Sequence, residues 1–215
     1  MRLSELEKLR VGILGTGREG QAVWRQIRRR YPDKPLALFS ESPVDEAFVQ
    51  ITDSAVDHFH PGTLDVAALG IYDVLIRSAG ISPYRAELTA LRARGVCFTT
   101  ATNIWFAENP NARTICISGT LGKSTTASLT AHLLRHAGLD VCLAGNIGRP
   151  MLDVEGSPDW WVIELSSYQL SDLAADVTIA VLLNLSEEHI DWHGGLQHYR
   201  SDKLKLAQMA SHGHV

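Results

Sequence analysis

The sequence lacks both a long apolar run and an excess of basic residues, and each absence excludes a class of function. No stretch approaches the ~20 consecutive apolar residues that a membrane-spanning helix needs. Its 215 residues include 20 Lys and Arg against 24 Asp and Glu, so a nucleic-acid binder driven by positive charge is not expected. Hydrophobic residues make up 45% of the chain, which excludes a disordered protein and predicts a packed core.

Cysteine is also scarce. The three cysteines, Cys97, Cys116 and Cys142, lie far apart, and two of them fall in strand-like apolar runs. An odd number of thiols that look buried predicts a reduced protein without disulfides. We therefore expect a protein of the cytoplasm.

Short apolar runs alternate with helical patterns along the chain, which is typical of an α/β protein with parallel sheets and crossover helices. A turn-rich joint at 109–111 divides the pattern into two parts. Residues 41–70 show no clear pattern, and we expect them to be irregular. Residues 211–215 resemble a loop that leads into another strand, so we expect the chain to be a fragment of a longer protein.

A glycine-rich turn follows the first apolar run. Gly15, Gly17 and Gly20 have the GxGxxG spacing of a dinucleotide-binding turn between a strand and a helix. The motif alone leaves three possibilities open: NAD(P), another nucleotide, or a tight turn without a ligand. Polar residues follow two later strands, at Ser40, Glu41 and the loop 78–83. The first half of the chain is therefore predicted to bind a nucleotide-like ligand.

A second glycine-rich turn indicates phosphate binding. It reads Gly119-Thr120-Leu121-Gly122-Lys123-Ser124-Thr125, between an apolar run and a helical pattern. The strict GxxxxGK[ST] pattern fails because position 117 is isoleucine, yet the parts that act on phosphate remain. Lys123 can reach β- and γ-phosphates, and the Ser124 hydroxyl can bind Mg²⁺. The alternative is a glycine-rich turn that carries a surface lysine.

Acidic residues and histidines follow the later strands. Glu164 ends an apolar run, and an acid in that position commonly binds Mg²⁺ beside phosphates; a helix-capping or salt-bridged glutamate is the alternative. A dense polar set comes after the next strand and comprises Asn184, Glu187, Glu188, His189, Asp191 and His193. Spacing alone makes Lys203 an ordinary solvated lysine.

Taken in order, these segments resemble the Mur ligase family, the ATP-dependent ligases that build the peptidoglycan stem peptide. The matching motifs are the phosphate loop at 119–126, Gly-Asn-Ile-Gly at 145–148, Glu-Leu-Ser-Ser-Tyr-Gln-Leu at 164–170, Glu-His-Ile-Asp at 188–191, and Tyr-Arg-x-x-Lys at 199–203. The resemblance implies a Rossmann-like UDP-substrate-binding domain over 1–106. It also implies an incomplete, P-loop ATPase-type central domain over 107–215, with the amino-acid-binding third domain absent.

The most similar branch of that family implies a specific reaction. ATP activates the carboxylate of UDP-N-acetylmuramoyl-L-alanine (UDP-MurNAc-L-Ala) as an acyl phosphate, and the amine of glutamate attacks it. Most relatives use D-Glu, and one branch uses L-Glu. The resemblance also implies a monomer in the bacterial cytoplasm, with no nucleic acid and no membrane span. This chain by itself is expected to be an incomplete enzyme.

The resemblance also implies a role for each matching residue. Lys123, His189 and Lys203 would be catalytic, and ATP would bind to residues 119–125. Two Mg²⁺ ions would be held, the first by Ser124 and Glu164 and the second by His189, with Lys203 as a carbamylated ligand. The UDP-substrate would contact Thr16, Gly17, Arg18, Ser40, Glu41, Ser78 and Gly80, and its muramoyl-alanine end Asn146, Ser166 and Gln169.

Three other functions remain open from the sequence. The GxGxxG turn alone would fit an NAD(P)-dependent oxidoreductase, although that leaves Lys123 and Ser124 unexplained. A non-catalytic nucleotide-binding fragment would bind ATP without forming ADP. A ligase similar to folylpolyglutamate synthetase would share the phosphate loop but lack a UDP-binding first domain.

Overall fold

The computed structural model describes residues 1–210, so the loop expected at 211–215 lies outside the described residues. The chain forms two compact units, Met1–Ile104 and Trp105–Val215. None of the helices in the described part is long and apolar enough to cross a membrane.

The first unit is built on a parallel five-stranded sheet. Its strands are β1 (Val11–Leu14), β2 (Leu36–Ser40), β3 (Asp57–Pro61), β4 (Val74–Arg77) and β5 (Cys97–Thr99). Its helices are α1 (Arg18–Arg30), α2 (Glu46–Ile51), α3 (Val66–Leu69), α4 (Ala86–Ala93) and α5 (Ala101–Glu108), the last of which continues into the second unit. A 3-10 turn, Leu3–Leu6, precedes β1.

The strand order β3-β2-β1-β4-β5 explains why these apolar runs form strands. All residues of β1, β2 and β4 are buried, as expected for parallel strands covered on both faces. On one face the core includes Leu14, Phe39, Leu75, Leu88 and Leu91. The chain direction across the sheet reverses at β1, between β2 and β4, and ligands of such sheets bind beyond the strand ends at this switch point.

The expectation that residues 41–70 are irregular is wrong. This segment contains α2, β3 and α3. Both helices are short and begin at aspartates, since the side chains of Asp45 and Asp65 accept hydrogen bonds from first-turn amides. Strand β3 lies at the sheet edge and exposes most of its residues, so it lacks the apolar run that marks a buried strand.

The second unit contains a parallel four-stranded sheet. Its strands are β6 (Thr114–Ser118), β7 (Val141–Gly145), β8 (Trp160–Glu164) and β9 (Ile179–Leu182), in the order β7-β8-β6-β9. Its further helices are α6 (Lys123–His136), α7 (Ser167–Leu170), α8 (Ile190–His193) and α9 (Leu196–Gln208), with a 3-10 turn at Met151–Asp153. The predicted α/β class with parallel sheets is confirmed.

The cysteines are less uniform than expected. Cys116 is buried in the inner strand β6, and burial raises the pKa of its thiol to about 12. Cys142 is half-buried, whereas Cys97 is exposed because β5 is an edge strand. The expectation of buried thiols is therefore wrong for Cys97.

Candidate functional site

The phosphate loop joins β6 to α6, which are the first strand and the first long helix of the second unit. Gly119 and Gly122 have φ values of +151° and +83°, which L-residues rarely adopt. A Cβ on Gly119 would also lie 3.0 Å from the Cβ of Leu183. Helix α6 begins at Lys123, so its first amides point out of the helix end toward the loop. This arrangement is typical of an anion-binding helix terminus.

Side chains that follow β9 and begin α9 hold this loop. The carboxamide oxygen of Asn184 accepts the N–H groups of Thr120 and Leu121 at 3.1 and 2.9 Å, and its nitrogen donates to the Leu121 carbonyl at 2.9 Å. The Thr120 hydroxyl lies 2.7 Å from the hydroxyl of Tyr199 and accepts the Ser186 N–H at 2.9 Å. The shape of the loop is therefore set by segments far from it in sequence.

Two lysines donate to carbonyl oxygens of the loop. The Lys123 Nζ atom donates to the Thr120 carbonyl at 2.7 Å, and the Lys203 Nζ atom donates to the Gly119 carbonyl at 2.5 Å. Lys203 is only 2% exposed, so the expectation from spacing of a solvated lysine is wrong. Its position on α9 turns the side chain inward beneath the loop.

The environment of Lys203 makes its ammonium group easier to deprotonate than that of an ordinary lysine. Burial and the positive charge of Lys123 lower the pKa of Lys203 to about 8, against the opposing effect of Glu188 and Glu164. An ordinary lysine titrates near 10.5. Near neutral pH a much larger fraction of Lys203 is therefore unprotonated than of a surface lysine.

Glu164 lies at the end of β8 and is 1% exposed. One carboxylate oxygen accepts the Ser124 hydroxyl at 2.7 Å, and the other accepts the Asn146 side-chain amide at 2.7 Å. Both hydrogen-bond donors are neutral groups. A carboxylate and a hydroxyl supply the hard oxygen ligands that Mg²⁺ prefers, so Ser124 and Glu164 fit the first predicted ion.

His189 stands at the start of α8 in an unusual conformation. Its φ of +55° is the only positive value among the non-glycine residues that the structure describes. Its Nε2 atom lies 3.8 Å from Glu188, and its ring lies 4.9 Å from the Tyr168 ring. Within residues 1–210, no three His, Cys, Asp or Glu side chains converge as a metal cluster. The structure thus brings Ser124 and Glu164 together without joining His189 to them in such a cluster.

Ser166 and Gln169 bind each other. The Ser166 hydroxyl accepts the Gln169 N–H at 3.2 Å, and the Gln169 side-chain oxygen accepts the Ser166 N–H at 3.0 Å. This reciprocal pair is a capping box that stabilises the N-terminus of the short helix α7. Both residues consequently have a structural role, whatever ligand they contact.

In the first unit, two predicted substrate residues meet at the ends of β1 and β2. The hydroxyls of Thr16 and Ser40 are buried and 3.2 Å apart, and Ser40 also donates to the Ser42 carbonyl at 2.7 Å. The neighbouring Glu41 accepts two hydrogen bonds from the Arg85 guanidinium, at 2.5 and 3.0 Å. This ion pair lowers the pKa of Glu41 and raises that of Arg85.

The glycine-rich turn of the first unit packs against the loop that follows β4. The Ser78 hydroxyl donates to the Gly15 carbonyl at 3.0 Å, and a Cβ on Gly15 would lie 2.9 Å from that hydroxyl oxygen. Gly17 and Gly80 face open space instead, because a Cβ on either would meet nothing within 4 Å. Arg18 is the exposed first residue of α1. The predicted substrate residues of this unit thus lie on three neighbouring strand ends.

Sequence reasoning did not assign a site role to Asn184 or Tyr199, although both hold the phosphate loop. Asn184 belongs to the polar set after β9, and Tyr199 belongs to the motif at 199–203. The sequence pattern therefore included both residues but did not indicate what they contact. Their contacts with the loop depend on pairings more than 60 residues apart, which spacing does not reveal.

Comparison with known proteins shows similarity along nearly the whole chain. Residues 117–215 match the Mur ligase middle domain. The UDP-N-acetylmuramoyl-L-alanine--L-glutamate ligase of Xanthomonas euvesicatoria is 43% identical over 217 residues, covering 96% of this chain and 46% of that protein. The ligase of the same name from Xylella fastidiosa Temecula1 is 42% identical, covering 98% and 47%. The chain spans about half the length of these relatives.

A solved structure shares the fold. The UDP-N-acetylmuramate:L-alanyl-gamma-D-glutamyl-meso-diaminopimelate ligase from Neisseria meningitides matches with a TM-score of 0.54 at 20% identity. The match covers 94% of this chain and 68% of that one.

Proposed function

Since the chain belongs to the Mur ligase family, we propose that it forms the substrate-binding and ATP-binding parts of an ADP-forming ligase. Residues 1–106 bind the UDP portion of UDP-MurNAc-L-Ala, and residues 107–215 bind ATP. The amino acid joined to the alanyl carboxylate is glutamate. The names of the relatives favour L-glutamate over the D-enantiomer.

The observation that carries the proposal is the chemistry gathered around the start of α6. A cation, Lys123, and a hydroxyl, Ser124, occupy the first two positions of the helix, and a buried carboxylate, Glu164, binds that hydroxyl at 2.7 Å. Phosphoryl transfer needs charge neutralisation and precise positioning more than covalent catalysis. This set supplies both.

The residues of the second domain have distinct tasks. The first amides of α6 bind phosphate oxygens, and Lys123 exchanges its bond to the Thr120 carbonyl for one to the β- and γ-phosphates. Ser124 and Glu164 would hold the first Mg²⁺, which would supply neutralisation of phosphate charge. His189 is proposed to bind the second ion. The alanyl carboxylate accepts the γ-phosphoryl group, and ADP is released. The glutamate amine then attacks the acyl phosphate, a C–N bond forms as the C–O bond to phosphate breaks, and the amine loses a proton.

Lys203 is proposed to carry a carbamate. In this reaction the lysine ammonium first loses a proton, and the neutral amine attacks CO₂, so that an N–C bond forms as a C–O π bond breaks. A second proton then leaves the nitrogen, and the cationic side chain becomes an anionic carbamate. The pKa of about 8 supports this step because it leaves an appreciable neutral fraction near physiological pH. The resulting oxygens would serve as metal ligands.

The first domain is proposed to hold the UDP group at its strand ends. Thr16, Gly17, Arg18 and the Ser40–Glu41 segment bind uridine, while Ser78 and Gly80 approach the diphosphate. The open space around Gly17 and Gly80 supports this assignment. Asn146, Ser166 and Gln169 are proposed to lie near the muramoyl-alanine end. A monomer in the bacterial cytoplasm is part of the same proposal.

The test is a product analysis with the protein as its gene encodes it. The protein is incubated with UDP-MurNAc-L-Ala, ATP, Mg²⁺ and either enantiomer of glutamate, and the products are analysed by mass spectrometry and an ADP assay. We expect one glutamyl residue to be added with L-Glu and none with D-Glu. Addition of D-Glu alone would contradict the proposed specificity for L-glutamate, and absence of any ADP would contradict the proposed ligase activity.

The NAD(P)-dependent alternative is not favoured by the named relatives, which are ligases. Titration of the chain with NADH provides the control. We expect no change in nicotinamide fluorescence at concentrations that saturate UDP binding.

A further inference from the structure

Arg77 is a fully buried arginine for which the proposed reaction provides no role. It is the last residue of β4, and its relative exposure is 0%. One guanidinium nitrogen donates to the carbonyls of Ser78 at 3.1 Å and Ala79 at 3.4 Å, and also to that of Ile81. Because burying a guanidinium is costly unless it is well paired, these bonds keep the loop 78–81 wrapped around the cation.

The bonds to Arg77 also orient the amides of the loop. In a planar trans peptide the C=O and N–H groups point in opposite directions. Carbonyls of Ser78 and Ala79 that turn toward Arg77 therefore send the N–H groups of Ala79 and Gly80 the other way. The Ala79 N–H indeed meets an anionic oxygen there, since it donates to the Glu19 carboxylate at 3.0 Å.

The outer side of this loop has room for a ligand. A Cβ on Gly80 would meet nothing within 4 Å, and the same holds for Gly17 in the facing glycine-rich turn. Ser78 links the two segments through its bond to the Gly15 carbonyl. Both segments lie at the switch point of the sheet, where β1 separates β2 from β4.

We propose that Arg77 is a positioning residue for the diphosphate of the UDP-linked substrate. It does not touch the ligand. It holds the carbonyls of the loop 78–81 inward, so that the opposite amides are preorganised toward an anion before the ligand arrives. Preorganisation raises affinity because the loop loses less conformational freedom on binding. This inference rests on the proposed function, which supplies the diphosphate.

The test compares Arg77→Met with Arg77→Lys in the 215-residue chain, with UDP as the probe. Arg77→Met keeps the apolar stem without the donors, whereas lysine restores an N–H donor group. We expect UDP affinity, measured by calorimetric titration, to fall about tenfold in Arg77→Met. It should recover to within about threefold of the starting value in Arg77→Lys. ATP affinity should stay unchanged in both variants.

Lys34→Met is the matched control. Lys34 also donates to two backbone carbonyls in the same unit, those of Glu7 at 3.0 Å and Leu9 at 2.6 Å. These carbonyls precede β1 and lie far along the strand from its C-terminal end. We expect this variant to lower thermal stability and leave UDP affinity unchanged. Equal losses of UDP affinity in Arg77→Met and Lys34→Met would show a merely structural effect and overturn the proposal.

Hydrogen exchange tests the effect of Arg77 on the loop 78–81 independently of UDP binding. Amides of the loop 78–81 should exchange faster in Arg77→Met than in the unchanged chain, and Arg77→Lys should restore protection. Unchanged exchange would overturn the role of Arg77 even if UDP does not bind. If protection changes as expected but the unchanged chain binds no UDP, the proposed function fails and the proposed ligand of this loop fails with it.

Discussion

The two units contain the same strand–glycine turn–helix element, whose geometry is suited to anion binding, but they differ in the charged side chains near the turn. In the first unit, the Glu41–Arg85 ion pair lies near the surface, and the buried Arg77 donates to backbone carbonyls of the loop 78–81. In the second unit, Lys203 is buried directly beneath the turn and donates to a backbone carbonyl. The two units thus differ in the kind of buried cation near the turn, which is an arginine in the first and, in the second, a lysine whose pKa is lowered to about 8.

The two glycine-rich turns are also held in place by different parts of the chain. The first turn packs on a neighbouring loop of its own sheet, through Ser78 and the Gly15 carbonyl. The second is held by Asn184 and Tyr199, which come from segments that follow the last strand. Burying a cation costs free energy unless its donors are paired, and in each unit backbone carbonyls accept hydrogen bonds from the buried cation.

The largest expected effect is a loss of ATP affinity without a loss of UDP affinity, which would show that the two units bind different ligands. Lys123→Ala removes the cation at the start of α6, so affinity for a fluorescent ATP analogue should fall by about 100-fold or more. UDP affinity should not change. Titrations of both ligands give the result, with the exposed Lys8→Ala as the control. Equal loss of both ligands would mean that the two turns do not act separately.

A smaller effect is expected from the residue that holds the second turn. Asn184→Ala removes three hydrogen bonds from Thr120 and Leu121. We expect ATP affinity to fall about tenfold, because the loop must then be ordered on binding. Asn109→Ala, which removes a hydrogen bond to the Trp105 carbonyl, is the matched control. An unchanged ATP titration in Asn184→Ala would contradict this role.

Lys203→Met should stabilise the protein while it abolishes the reaction. At pH 7 the folded state keeps a desolvated cation, and its replacement should raise the free energy of unfolding by about 1 kcal/mol. Between pH 8 and 10.5 the unfolded state binds more protons than the folded state, so the unchanged protein gains stability as pH rises. The advantage of the variant should therefore shrink over this range in denaturant titrations.

A direct test of the carbamate uses the same residue. Carbon-13 NMR in labelled bicarbonate should show a carbamate signal that grows as pH rises toward 8 and beyond, because the neutral amine is the reacting form. The signal should be absent from Lys203→Met and present in Lys205→Met. A signal of equal size in both variants would assign the carbamate to another amine.

The smallest expected effect concerns the first turn. Glu19→Gln keeps an oxygen that can accept the Ala79 N–H but removes a negative charge beside the proposed diphosphate. We expect UDP affinity to rise about threefold, with a weaker dependence on salt. Arg85→Gln, which removes a cation near the same strand ends, should instead lower UDP affinity. A fall in UDP affinity in Glu19→Gln would mean that binding requires the negatively charged carboxylate at this position and not only a hydrogen-bond acceptor.

Local patterns determined much of the fold. Buried parallel strands are continuous apolar runs, so β1, β2, β6 and β8 could be found without the structure, and so could α6 between its glycine turn and Gly138. The edge strand β3 could not be found in this way, because half-exposed strands carry mixed residues. The short helices α2 and α3 were missed because six and four residues are too few to establish a helical period.

By itself, the sequence determined the chemistry available at each strand end, because residue types and their order decide which groups can bind phosphate or Mg²⁺. Only the tertiary structure decided the state of those groups. Lys203 is buried and bonded to the Gly119 carbonyl, and Glu164 is bonded by Ser124 and Asn146. Protonation and orientation depend on neighbours that are distant in sequence, and only folding brings them together.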